Sequence, residues 1–312
     1  MIKFLLFHLI LLSSWSLSAQ TTQPSFFDST GIVATGFEPL MKIPHSFTFT
    51  EGPVADKEGR VYFTDQPDNK IWRYDPATTL LWEFKKEAGR ANGLDIDAAG
   101  NIIACADENN EIWSIDPRGL IVKKRLGKVG GKRLNGPNDL WLDKKDGIYF
   151  TDPYYQRSYW TRTAPEIKGQ YVYYLPSTAT EPIAVATDLV QPNGIIGSAD
   201  GKHLFIADIG DNKTYRYQIQ PDGSLSGRTL WVEQGADGIT LDNRGNLYLT
   251  GKGVTVYNPS GKKIAYIPVP EKWVGNICFG GVNRDILFIT AGPGVYTLKM
   301  KVRGLIPPRL KR

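Results

Sequence analysis

Apolar and polar positions alternate along this chain in short bursts, broken by turn-forming Asp, Asn, Gly and Ser, and the whole pattern recurs six times. One unit reads EGPVADKEGRVYFTDQPDNKIWRYDP from Glu51, and the next reads NGLDIDAAGNIIACADENNEIWSIDP from Asn92. NDLWLDKKDGIYFTDPYY follows from Asn138 and NGIIGSADGKHLFIADIGDNKTYRYQI from Asn193. DGITLDNRGNLYLTGKGVTVYNP begins at Asp237, and NICFGGVNRDILFITAGPGVYTL, a weaker copy, at Asn276. Within each unit a short apolar strand meets a turn (DKEG, DAAG, DKKDG, SADG, DNRG), then a β-rich strand (VYFTD, IIACAD, IYFTD, LFIAD, LYLTG), then a third strand rich in aromatic and aliphatic residues. A fourth strand is weaker, as in LWEFK (81–85) and GLIVKK (119–124).

No segment carries the period of a long amphipathic helix. Four antiparallel strands repeated in phase six times predict an all-β, six-bladed β-propeller with four-stranded antiparallel blades. The last unit ends near the C-terminus, so the residues before Glu51 (Gly31–Ile43, then HSFTF) are expected to close the sixth blade. Ahead of them, Met1–Lys3 is basic, Phe4–Leu12 is almost continuously apolar, and small residues lead to Ala19. This is the pattern of a cleavable signal peptide over 1–19, too short to span a bilayer. The expectation is a single exported domain over 20–312, in a bacterial periplasm or secreted.

Composition excludes several classes. With 41% hydrophobic residues and a net charge of +5, the chain is not disordered, and its charge is spread except in the short basic tail after Lys299. That distribution is not a nucleic-acid footprint, and nothing points to a membrane span or an obligate protein partner. Two cysteines cannot staple a scaffold. Cys105 and Cys278 sit in apolar strand-like runs, which favours buried free thiols over a pair. There is no G-x-S-x-G elbow, P-loop or dinucleotide fingerprint.

The first residue of each repeat carries the candidate chemistry. Propeller blades set their innermost strands along a central channel, so equivalent positions form a ring: Glu51, Asn92, Asn138, Asn193, Asp237 and Asn276. All are carboxylates or carboxamides. Singly, Asn or Asp before Gly reads as turn chemistry. Together, oxygen side chains converging on one axis predict a central metal site. Oxygen-only donors suit a hard divalent cation, best Ca2+, with Zn2+, Mn2+ and Mg2+ as alternatives. Zinc itself favours His or Cys, and beyond the leader only His45 and His203 are available.

KRLNGPNDLWLD and GIYFTDPYY (132–155), QPNGI (191–195), GADGITLDNRGNLY (235–248) and the opening EGPV with VYFTD (51–65) resemble the SMP-30/gluconolactonase/LRE-like family, which includes regucalcin, across all six repeats. That resemblance implies a six-bladed propeller holding a divalent metal on Glu51, Asn138, Asn193 and Asp237, with Asp237 also the general base. Asn92 and Asn276 then line the channel, Asn92 towards substrate and Asn276 outside the ligands. Asp139 and Asp208 stand second as acid–base or supporting groups, each with an equal reading as a hydrogen-bonded structural residue. Arg133 and Asn135 are candidates to bind substrate hydroxyls. The implied activity is a metal-dependent lactonase, a hydrolase of cyclic esters opening a small-molecule sugar lactone such as a gluconolactone. The alternatives are a metal-dependent hydrolase of other lactones, esters or organophosphates, and a non-catalytic, calcium-stabilised binding propeller. The wide gap between the third and fourth units holds PYYQRSYWTRTAPEIKGQ, an aromatic loop placed to cover the mouth.

Overall fold

The computed structural model describes residues 24–34 and 40–306. The leader expected over 1–19 lies outside the described residues. Six antiparallel sheets surround a common axis; in each the strands run outward in chain order, save that the outermost strands of blades 5 and 6 come from the N-terminal segment. Blade 1 comprises Thr50–Ala55, Val61–Asp65, Lys70–Asp75 and Leu80–Lys86. The inner strands of blades 2 to 6 are Ala91–Ile96, Leu140–Leu142, Pro192–Gly197, Ile239–Leu241 and Asn276–Gly280. The fold is therefore all-β, a six-bladed propeller of four-stranded antiparallel blades.

Turn chemistry explains the first hairpin of blades 1 to 5. In the D-x-x-G turns the Asp side chain accepts backbone N–H groups and Gly takes a left-handed φ. Asp56 Oδ1 accepts from the N–H of Glu58 and Arg60, and Asp97 Oδ1 from that of Ala99 and Asn101. The glycines Gly59 and Gly100 sit at φ +85° and +87°. Blade 4 spells this turn SADG, and there Ser198 Oγ accepts from the His203 N–H.

The ring closes through the N-terminal segment. Met41–Lys42 is the outermost strand of blade 6, pairing Met41 with Thr297 and Lys42 with Tyr296. Strands from the start and the end of the chain thus share one sheet, which ties the first blade to the last and closes the ring. Two features carry no sequence signal in the repeats. Phe27–Asp28 adds a fifth strand to blade 5, and a small hairpin pairs Lys128–Val129 with Lys132–Arg133.

The core lies between blades rather than within them. Each of the six interfaces has one apolar cluster; between blades 6 and 1, for example, Phe63 and Val61 pack against Phe288 and Val295. This sets the spacing of the inner strands and so the width of the channel. Cys105 is buried, Cys278 half-buried, and both are free. Among the described residues no helix is long and apolar enough to cross a membrane.

Candidate active site

A repeated hydrogen bond gives the register of the inner strands. Thr151, Thr250 and Thr290 lie at or next to the ends of the second strands of blades 3, 5 and 6. Their Oγ1 atoms accept from the N–H of Asp139, Gly238 and Asn276, at 3.1, 2.8 and 3.1 Å. Asn276 is therefore equivalent to Asp139, and the residue matching Asn138 and Asp237 in blade 6 is Gly275. The expected six-oxygen ring is corrected to five side chains, Glu51, Asn92, Asn138, Asn193 and Asp237, with a glycine in the sixth place. Asn276 and Asp139 form a tier further along the inner strands, 3.4 Å apart, and line a separate cavity there.

The Gly following four ring residues is not turn chemistry. Adjacent inner strands approach so closely that a Cβ on Gly93 would lie 2.6 Å from Asp139 Oδ1, and one on Gly238 would collide with the Asn276 side chain. Interblade bonds run through the same points: the Gly93 N–H donates to Asn138 O and the Gly238 N–H to Gly275 O, both at 2.8 Å.

Glu51, Asn92, Asn138 and Asn193 are buried and Asp237 is half-buried, and the five share a cavity of about 230 Å3. Phe49 and Ile209 supply apolar wall, while Tyr155, Arg157 and Trp273 stand at the rim. Trp273 Nε1 donates to Asp237 Oδ2 at 2.6 Å, and Asn193 Nδ2 to the Tyr155 hydroxyl at 3.0 Å. Burial, then the charge of Asp237, hold the Glu51 carboxyl well above its ordinary range. Burial also lifts Asp237 to about 6, against hydrogen bonds from Trp273 and Asn193. Asp139, buried on the lower tier, is raised to about 7.

These residues fit a hard cation. Oδ1 of Asn92 and Oδ1 of Asn193 are buried without a hydrogen-bond partner, and buried acceptors of that kind are rare unless something else satisfies them. Two ionised carboxylates withdrawn from water each cost on the order of several kcal/mol unless opposite charge compensates. No Cys or His borders the cavity: His45 packs on Phe47 and Trp72, and His203 opens a strand of blade 4. Among the described residues no group of three or more His, Cys, Asp or Glu side chains converges. The donor set is instead two carboxylates with amide oxygens, the chemistry of calcium rather than zinc.

Three buried aspartates set the ring in place. Asp65 accepts from the N–H of Thr48 and Phe49, Asp152 from Asn135 and Gly136, and Asp208 from Val190 and Gln191, all within 3.0 Å. The second N–H in each case belongs to the residue two before a ring member: Glu51, Asn138 or Asn193. Asp208, a sequence candidate for acid–base chemistry, thus anchors the entry to Asn193 and does not line the cavity.

The profile of the SMP-30/Gluconolactonase/LRE-like region matches residues 49–292, which takes in the inner strands of all six blades. The chain belongs to that family. Among its relatives, the gluconolactonase of Zymomonas mobilis is 27% identical over 301 residues, covering 85% of this chain and 82% of that one. A solved structure described as a putative gluconolactonase superposes with a TM-score of 0.82 at 26% identity, over 90% of this chain and all of that one. A calcium-binding regucalcin from Agrobacterium tumefaciens shares the fold at a TM-score of 0.71 and 16% identity, over 92% and 99% of the two chains.

For this SMP-30/gluconolactonase family member, the structure separates the remaining sequence candidates. Arg133 is exposed on the small hairpin, its N–H on Glu166, and borders a different surface cavity with Lys124 and Lys128. Asn135 is fully buried, its Nδ2 donating to the carbonyls of Asp152 and Gly169. Neither reaches the channel mouth, so neither is placed to bind substrate there. The cationic group at the mouth is Arg157, with Tyr155 beside it, and Trp273 lines the same cavity through its bond to Asp237. Tyr155 and Arg157 belong to the aromatic loop seen in sequence, but nothing in that segment marks which of its residues turns inward. Trp273 lies in the link between blades 5 and 6, outside any repeated motif.

Proposed function

We propose that this protein is a divalent-cation-dependent lactonase that opens a neutral sugar lactone, gluconolactone-like, to its aldonic acid, and that it works outside the cytoplasm after loss of residues 1–19. The observation that carries the reading is the convergence of Glu51, Asn138, Asn193 and Asp237 on one cavity, with Asn92 adding a further unpartnered oxygen. Membership of the family and its gluconolactonase relatives support the reaction; the basic–apolar–small leader supports export.

In this reading Glu51, Asn138, Asn193 and Asp237 hold the cation, which when bound supplies polarisation of the lactone carbonyl and stabilisation of the charge that develops on its oxygen. Asp237 is fastened at Oδ2 by Trp273, and Oδ1 takes the proton from the attacking water as its oxygen bonds to the carbonyl carbon. The ring C–O bond then breaks, and the same proton passes to the departing ring oxygen, giving the hydroxy acid. Phe49, Ile209 and the rim aromatics exclude bulk water.

The test is proton release from glucono-1,5-lactone by the metal-stripped mature protein, resupplied with calcium, magnesium, manganese or zinc. Activity that returns with one ion and is absent in Asp237→Ala and Asn138→Ala supports the reading. No turnover with any ion, on this lactone or on a panel of other lactones, overturns it. Mass spectrometry of the exported protein checks cleavage after Ala19.

A further inference from the structure

The loop 153–170 of blade 3 carries a guanidinium over the cavity. Arg157 lines it beside Tyr155, with its head 5.5 Å from that ring. Its Nε donates to Asp107 Oδ2 at 2.9 Å. Asp107 follows the second strand of blade 2, its side chain only 2% exposed. The same carboxylate oxygen accepts from Gln66 Nε2 at 3.1 Å and the Tyr159 hydroxyl at 2.6 Å, while Trp160 Nε1 donates to the Asp107 carbonyl at 2.8 Å. One buried carboxylate from a neighbouring blade thus fixes both the loop and the direction of the arginine head.

The arrangement differs from that of an arginine placed for charge alone. Its positive charge is balanced at close range by Asp107, and two further carboxylates, Glu51 and Asp237, share the cavity. No positive surplus remains to favour an anionic substrate. What remains is geometry: the terminal nitrogens of a planar, pre-aligned donor at the mouth of an otherwise aromatic rim. Such a group suits neutral hydroxyl oxygens carried on a ring that enters between Tyr155 and Trp273.

We propose that Arg157, aimed by Asp107, is the residue that selects hydroxylated lactones over unsubstituted ones, by donating hydrogen bonds to hydroxyl oxygens of the bound ring. Arg157 touches substrate; Asp107 is a positioning residue that acts through it. The proposal rests on the lactonase reading for its kinetic form, and on binding alone for an independent form.

The experiment compares glucono-1,5-lactone with δ-valerolactone, the six-membered lactone without hydroxyls, in the wild type, Arg157→Gln and Asp107→Asn, each loaded with calcium. The ratio of the two kcat/KM values is expected to fall by about 10- to 100-fold in Arg157→Gln, the range for losing a hydrogen bond from a charged donor. In Asp107→Asn the same ratio falls less, through KM for the hydroxylated lactone. A ratio unchanged in Arg157→Gln, or equal losses on both lactones, would overturn the proposal. Calorimetric titration with the hydrolysis-resistant D-glucono-δ-lactam and with δ-valerolactam separates this from the lactonase reading. If the wild type turns over neither lactone but prefers the hydroxylated lactam, and Arg157→Gln loses that preference, the selection stands while the lactonase reading fails. No preference in the wild type removes the proposal.

Discussion

Gly275 stands in the one ring position without a side chain because Glu51, across the interface between blades 6 and 1, fills its space: a Cβ on Gly275 would lie 2.5 Å from Glu51 Oε1. The longest acid of the ring and its missing sixth member are thus two sides of one packing relationship. Gly275→Ala is expected to push the Glu51 carboxylate aside, weakening calcium binding by about tenfold or more, since overpacking a tight site typically costs about 1–3 kcal/mol. Calorimetric titration measures this. Gly201→Ala is the contrast: its φ is +70° with nothing within 4 Å, so it strains a surface turn, lowering the melting temperature while calcium affinity holds.

Removing the cation should expose the cost of the buried carboxylates. Glu51→Gln deletes one of the two charges, so the metal-free variant is expected to melt above the metal-free wild type at pH 8. Calcium should then raise the melting temperature of the wild type and leave the variant nearly unmoved. Thermal denaturation with and without chelator checks both signs; a variant less stable than the wild type in chelator refutes the account.

Asp152 predicts a pH dependence independent of the cation. Burial raises its carboxyl from 3.8 to about 7, against hydrogen bonds from Gly136 and Asn135. The folded state holds this proton at pH values where the unfolded chain has lost it. The associated stability is full below about pH 4 and is lost as pH rises through about 7. Chelated wild type should therefore lose stability between pH 4 and pH 7, and Asp152→Asn should have a flatter profile over that window, read from denaturant midpoints.

Asp208→Ala removes no ring residue, yet it leaves the N–H groups of Val190 and Gln191 without their acceptor. A cost of about 1–3 kcal/mol in stability is expected, with weaker calcium binding because Asn193 is no longer held in register. Unchanged calcium affinity in a folded Asp208→Ala protein would show that the anchor serves the fold alone.

Much of this was legible in the chain. Six phased repeats and D-x-x-G turns are local signals, and they led to the propeller and to its closure by residues before Glu51. Ring residues in blades 1 to 5 could be read from repeat starts because each opens an apolar strand in the same phase. The sixth repeat misled: its start at Asn276 is one residue past the ring position. Register across blades depends on interstrand bonds such as Thr290 to Asn276, which a weak repeat does not display. Asp65, Asp152 and Asp208 were visible as the Asp of FTD and IAD, but their loop-holding role depends on a fold that returns the next inner strand beside them.

By itself the sequence determined the repeat, the blade architecture and the oxygen-rich chemistry of the inner-strand residues, because all three follow from short-range periodicity and residue type. Tertiary structure alone decided which cationic side chain reaches the mouth, Arg157 and not Arg133, and that Trp273 fastens Asp237. It also decided that the glycines of NG and DG serve interblade contact rather than turns. The physical reason is the same each time: these are contacts between segments distant in sequence, set by how tightly six blades pack around one axis, and no local pattern records that distance.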